Sequence, residues 1–171
     1  MLKVVLINGP AGSGKDTFAE LAVKKWGGKI EKMSAPLKAA YKCLNPEIDL
    51  EDRSQKEMAR RHLIDLSEHY VKPRFGKDWF GKMLIKRLPE SGIVWVSDSR
   101  FSHEAIPILN KMVGKVAVVR VYRGDVRMWS GDDSGHYLNL DCPSFNLHND
   151  GPPEQMIDRM IKAGLEEWLL R

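Results

Sequence analysis

The stretch that decides the reading is Leu2-Lys3-Val4-Val5-Leu6-Ile7-Asn8-Gly9-Pro10-Ala11-Gly12-Ser13-Gly14-Lys15-Asp16-Thr17. Apart from Lys3, residues 2–7 are continuously apolar, the mark of a strand buried on both faces. Gly9-x-x-x-x-Gly14-Lys15 follows at once. Phe18, Leu21, Ala22 and Trp26 then fall at helical spacing, and Gly27-Gly28 stops the helix. Strand, glycine loop and helix in that order form the context a phosphate-binding loop needs. Glycines let the backbone wrap phosphate oxygens, and the wrapped N–H groups and helix N-terminus supply partial positive charge. Lys15 would add a full charge at the β- and γ-phosphates. Gly9, Ala11, Gly12, Ser13, Gly14 and Lys15 are therefore candidates to hold ATP. A glycine-rich turn with an accidental lysine is the plain alternative.

Outward from this segment the chain alternates strands and helices. Lys29 to Met33 reads as a short strand and Leu37, Ala40, Tyr41 and Leu44 as a short helix. Asn45 to Asp52 reads as a polar loop. Ala59, Leu63, Leu66 and Tyr70 mark a longer helix, broken at Pro73 and Gly76. Trp79, Phe80, Met83, Leu84 and Leu88 mark another. Ile93-Val94-Trp95-Val96 is a third buried strand. Ala105, Ile108, Leu109 and Met112 predict a helix with Pro107 near its first turn. Val116 to Val121 is a fourth strand and Ser144 to Leu147 a fifth. Met156 to Trp168 reads as one closing amphipathic helix after the turn signal Asn149-Asp150-Gly151. Arg123 to Leu140 has no clean period and reads as a lid. Apolar strands alternating with helices predict an α/β fold, a three-layer P-loop NTPase type with a roughly five-stranded parallel sheet. Residues 1–171 read as one domain, with a helical acceptor-binding region at 34–90 and a lid-like segment at 123–140.

Composition narrows the classes. Hydrophobic residues make up 43% and charged residues 29% of 171, the balance of a globular protein of ordinary domain size. No apolar run is long enough to cross a bilayer, and the N-terminus lacks the cleavage pattern of a signal peptide, so no membrane partner and a cytoplasmic location are expected. Cys43 and Cys142 lie far apart and suggest neither zinc nor a disulfide framework. A formal charge of +4 spread along the chain suits small polyanions better than nucleic acid. His62 and His69 lack a third metal ligand. Of the basic cluster Arg53, Lys56, Arg60 and Arg61, most would be solvated and one is expected to reach the ligand. Trp79, Phe80 and Trp95 read first as core.

The third strand runs into Ser97-Asp98-Ser99-Arg100-Phe101. Ligands of open α/β sheets bind beyond the carboxyl ends of strands. Asp98 there could serve Mg²⁺ or its waters, and Arg100 could clamp a phosphate with its planar fork of donors. An Asp–Arg ion pair capping the strand is the alternative. Asp16 stands where P-loop enzymes usually place Ser or Thr. It reads either as a magnesium residue, through water, or as an exposed acid favouring the helix dipole.

Several patterns together resemble the phage-type deoxynucleoside monophosphate kinases, a branch of the NMP-kinase-like P-loop enzymes. They are Gly14-Lys15-Asp16-Thr17, Ser34-Ala35-Pro36-Leu37-Lys38, Arg74-Phe75-Gly76-Lys77-Asp78-Trp79-Phe80, Ser97 to Glu104, and Asn149-Asp150-Gly151. Ala35 replaces an acid, His103 replaces an asparagine, and the arginine spacing before Phe75 is tighter than the family's. The lid matches least, with His136-Tyr137-Leu138-Asn139 an echo of the family's element. The resemblance implies transfer of the ATP γ-phosphoryl group to a deoxynucleoside monophosphate with Mg²⁺, on small-molecule nucleotide substrates, and it allows a homodimer. It implies that Lys15 stabilises the migrating phosphoryl and that Thr17 touches the α-phosphate. Asp16 and Asp98 would serve magnesium. Arg100 and Arg74 would bind the acceptor phosphate, with Asp78 positioning that arginine or the acceptor sugar, and Ser34, Lys38 and Trp79 near the acceptor. Arg123 and Arg127 would close over ATP, and Asn149 to Gly151 would lie near the adenine. Adenylate-kinase-like or phosphomevalonate-kinase-like acceptors are alternatives. A nucleic-acid-associated ATPase is a further one.

Overall fold

In β1 (Leu2–Asn8) every residue is buried, as a strand covered on both faces must be. A computed structural model describes residues 1–50, 52–124 and 136–171. The Arg127 expectation and residues 125–135 of the lid expectation lie outside them. After β1 come α1 (Lys15–Trp26), β2 (Lys29–Glu31), α2 (Ala35–Leu44) and α3 (Arg53–Asp65). A π-helical turn (Leu66–Val71) joins α3 to α4 (Lys72–Phe75). Then follow α5 (Trp79–Ile85), β3 (Gly92–Ser99), α6 (Ser102–Lys111), β4 (Val116–Tyr122), β5 (Ser144–His148), α7 (Gln155–Lys162) and α8 (Leu165–Leu170). The five strands pair in parallel in the order β2-β3-β1-β4-β5.

Strand alternation divides the core. Val4, Leu6, Val94, Val96, Val116 and Val118 face one cluster, packed under Leu37, Leu63, Phe80, Leu84 and Ile108. Val5, Ile7, Trp95, Val119 and Val121 face the other, under Phe18, Ala22, Met156, Met160 and Leu165. Trp95 is fully buried, stacks on Trp26 at 5.8 Å, and donates its indole N–H to Gly27 O at 2.9 Å. Trp95 is therefore core, as expected.

Three expectations are corrected. Pro107 lies inside α6, because the helix begins at the polar Ser102-His103-Glu104 turn rather than at the apolar stripe. The closing helix is two helices, broken at Ala163-Gly164, where the backbone of Gly164 turns left-handed. Residues 136–140, expected within the lid, are tied down. Leu138 is fully buried and its N–H donates to Asn8 Oδ1 at 2.9 Å, while His136 N–H donates to Arg100 O at 3.3 Å. No helix among the described residues is long and apolar enough to cross a membrane.

Candidate active site

The carboxyl end of the central strand leads into the glycine loop. Asn8 is fully buried there, yet its side chain is satisfied: Nδ2 donates to Ser99 O at 2.9 Å and to His136 O at 3.1 Å. Together with the Leu138 N–H bond, this ties β1, β3 and the 136–138 segment at one point, as a buried amide must be tied. Sequence reading missed Asn8; a polar residue closing an otherwise apolar strand was the only signal. The loop itself has no room for side chains at two places. A Cβ on Gly9 would stand 2.5 Å from Val121 O. One on Gly14 would stand 2.5 Å from Asn149 Nδ2, and Gly14 has φ of +99°. Asn149 reaches the loop deliberately, donating to Ser13 O at 2.8 Å. Arg123 donates to Gly12 O at 3.1 Å.

A cavity of about 390 Å³ opens here, lined by Gly12, Gly14, Lys15, Asp16, Thr17, Arg123, Asn149 and Gly151, with Pro153 and Met156. Eight of the residues expected around ATP thus meet in one concavity. Gly9, Ala11 and Ser13 belong to the same loop but do not line the cavity. Pro153 and Met156 were not anticipated. Ser13 is buried and its hydroxyl has no hydrogen-bond partner, an orphaned polar atom in the loop that would wrap phosphate. These features fit a nucleotide's phosphates.

The charges are close-set. Burial pushes the Lys15 ammonium down to about 8, Asp16 and Asp98 resist, and Arg100 and Arg60 push further down. Lys15 Nζ donates to Pro10 O at 2.6 Å. Partial burial works to raise Asp16, but Lys32, the Ser97 hydroxyl and Lys15 outweigh it and hold the carboxyl below its ordinary range. Among the described residues no group of three His, Cys, Asp or Glu could cage a metal. Magnesium carried on nucleotide phosphates needs only one or two protein carboxylates, so Asp16 fits that requirement.

Asp98 has a use that sequence reading did not foresee. Its Oδ1 accepts from Met33 N–H at 2.7 Å, and its Oδ2 from Ser34 N–H at 3.0 Å and Ser34 Oγ at 2.7 Å. It braces the turn between β2 and α2, and Ser34 is spent on the same turn. Arg100, just past β3, has its pKa lowered first by burial and then by Arg60, against Asp98 and Glu104. Arg60 is half-buried on α3, and its charge bears on both Lys15 and Arg100. Among the described members of the basic cluster it is the one whose charge bears on both. Arg74 is exposed on α4, and Asp78 is paired with Lys82 at 2.8 Å rather than with an arginine. Trp79 packs on the core between Phe75 and Phe80, and Lys38 is half-buried on α2.

Next to Arg100 along the chain, Phe101 and His103 line a second cavity of about 270 Å³ with Glu68, Lys72, Pro73 and Lys77. Lys72 is buried, lies 4.4 Å from the Phe101 ring centroid, and pairs with Glu68 at 2.5 Å and Glu104 at 3.6 Å. Burial raises the Glu104 carboxyl to about 7 despite Lys72. His103 is pushed down by burial and then by Lys72 and Lys77.

No protein-family model and no curated protein matches the chain. Among solved structures it is similar to a gluconokinase from Sinorhizobium meliloti 1021, with a TM-score of 0.60 and 12% identity over 98% of this chain and 94% of that one. It is also similar to a sugar kinase from Janibacter sp. HTCC2649, with a TM-score of 0.48 and 17% identity over 95% and 94% of the two chains. At such identity the likeness is one of fold: the chain has the three-layer α/β P-loop architecture.

Proposed function

We propose that this chain transfers the γ-phosphoryl group of ATP to a deoxynucleoside monophosphate, giving ADP and a deoxynucleoside diphosphate. The observation that carries the reading is the convergence of cations on the loop lysine, which lines the cavity: the charges of Arg100 and Arg60 reach Lys15 and lower its pKa, and the charge of Arg60 also lowers that of Arg100. Such a set of cations costs stability in a folded protein, and two facing anions offset that cost. Phosphoryl transfer asks for little else: the anions held in line, their charge neutralised and water excluded.

The loop N–H groups and Lys15 hold the β- and γ-phosphates. Arg100 and Arg60 hold the acceptor phosphate, whose oxygen attacks the γ-phosphorus as the bond to the β-phosphate oxygen breaks. The remainder of the acceptor takes the cavity beside Phe101, and Asn149 and Gly151 border the adenine. Arg123 borders the ATP side. Asp16 would hold magnesium carried in on the nucleotide, which would supply neutralisation of charge during the transfer. The fold likeness to a gluconokinase supports a second reading, a P-loop kinase of another small acceptor, since one fold hosts many acceptors.

Coupled ADP release with MgATP tests both. The acceptor panel is dTMP, dGMP, dCMP, dAMP, modified pyrimidine deoxynucleotides, ribonucleotides, phosphomevalonate, gluconate and none. Turnover specific to deoxynucleotides and cut about a thousandfold by Lys15→Ala is expected. Turnover with gluconate or phosphomevalonate alone selects the second reading. Hydrolysis indifferent to every acceptor sinks both and directs attention to a nucleic-acid-associated ATPase.

A further inference from the structure

P-loop enzymes ordinarily hold the nucleotide's magnesium with a hydroxyl directly after the loop lysine and an acid at the end of a neighbouring strand. Here the two residue types stand in exchanged places. Asp16 follows Lys15 in the first turn of α1, and Ser97 lies near the carboxyl end of β3, the strand paired with β1. They face each other: Ser97 Oγ donates to Asp16 Oδ1 at 2.8 Å. Asp98, the neighbouring acid, has both oxygens engaged by Met33 and Ser34. What Asp98 holds in place is the turn that carries Lys32. The backbone of that turn is fixed a second time, by Arg87 donating to Lys32 O at 2.7 Å. Lys32 Nζ then lies 3.3 Å from the same Asp16 oxygen that Ser97 contacts. The Asp16 side chain is 63% exposed and borders the loop cavity, so it stays open to a ligand.

We infer that the metal-facing pair of this chain is transposed: Asp16 supplies the carboxylate toward nucleotide-bound magnesium and Ser97 the hydroxyl that orients it. Lys32 competes with the divalent cation for that carboxylate, and Asp98 is a positioning residue for the Lys32 turn. The inference rests on the nucleotide reading above. It also accounts for the aspartate at a place where P-loops usually carry a hydroxyl: a carboxylate there is tolerable only if the facing strand offers a donor rather than a second carboxylate, because two facing carboxylates would repel.

The test is Mn²⁺ binding, followed by electron paramagnetic resonance, to the full chain with the non-hydrolysable analogue adenosine 5′-(β,γ-imido)triphosphate. Asp16→Asn is expected to weaken Mn²⁺ in the ternary complex by about tenfold or more, and Ser97→Ala by roughly a few-fold. Lys32→Met is expected to tighten it, because the competing ammonium is gone. Asp98→Asn is expected to lower the melting temperature and leave Mn²⁺ affinity within about twofold of the parent. Loss of Mn²⁺ in Asp98→Asn with none in Asp16→Asn would overturn the transposition. Should Asp98→Asn not fold, equal affinities in the parent, Asp16→Asn and Lys32→Met overturn it equally well. A parent chain that binds no analogue at all, with or without Mn²⁺, refutes the nucleotide reading itself and the transposition with it.

Discussion

The two halves of the site are built on different principles. The loop half is backbone: glycines too crowded for side chains, carbonyls fastened by Asn149 and Arg123, one lysine, and a carboxylate held below its usual range. The half proposed to take the acceptor is side chain: Arg60 from α3, Arg100 just past β3, Lys72 from α4 and Glu104 from α6. Its acid is pushed the opposite way, up to about 7, because α5 and α6 bury it faster than Lys72 can compensate. A backbone cradle leaves no room for a change of shape where a Cβ would collide, at Gly9 and Gly14. A side-chain cluster tolerates changes of shape but answers sharply to each charge.

The largest effect expected tests the buried acid. Glu104, raised from 4.5 to about 7, binds a proton in the folded chain that the unfolded chain has already lost between those values. Its contribution is full below pH 4.5 and lost as pH rises through 7. Stability should fall across that window by up to about 3 kcal/mol, at 1.36 kcal/mol per unit. Urea melts at pH 5 and pH 8 should show this slope in the parent and not in Glu104→Gln. An identical slope in both would mean that Lys72 already keeps the group ionised.

On the loop half, Gly14→Ala should cost about 2 kcal/mol, from strain at positive φ and collision with Asn149. The double variant with Asn149→Ala should recover the collision part only. Melting curves of the three chains resolve this, and full recovery would show that the backbone conformation carries no strain.

Arg60→Ala against Arg74→Ala sharpens the contrast within the acceptor half. Arg60→Ala should raise the acceptor KM about tenfold while leaving ATP affinity nearly unchanged, whereas Arg74→Ala, exposed on α4, should stay within about twofold. Equal losses would restore Arg74 to the acceptor set.

The smallest effect is a proton. Bound phosphate stabilises the Lys15 ammonium, so ATP binding raises a group that burial holds at about 8. Calorimetry at pH 8.5 in buffers of different ionisation enthalpy should find a fraction of a proton taken up, absent in Lys15→Met. Affinity for ATP should fall as pH climbs through 8.

The strand-loop-helix unit and the sheet were legible because their causes are local. A run of apolar residues can only be a buried strand when glycines follow it, and a wrapped loop needs glycine wherever Val121 or Asn149 crowds it. Pro107 misled because a helix interior tolerates one missing N–H when both flanks are packed, as Ala105 and Ile108 are. The single closing helix misled because the apolar stripe continues across Gly164 although the backbone does not.

By itself, then, the sequence determined the parallel α/β sheet, the glycine loop and the loop residues Gly12, Gly14, Lys15, Asp16 and Thr17 at its cavity, since each follows from neighbours within a few positions. The tertiary structure alone decided which arginine's charge bears on Arg100, that Asp98 braces a turn 64 residues away, and that Asp16 meets Ser97 and Lys32. These are contacts between chain segments far apart in sequence. Their identity depends on where helices and turns come to rest on the sheet, and no local spacing encodes that.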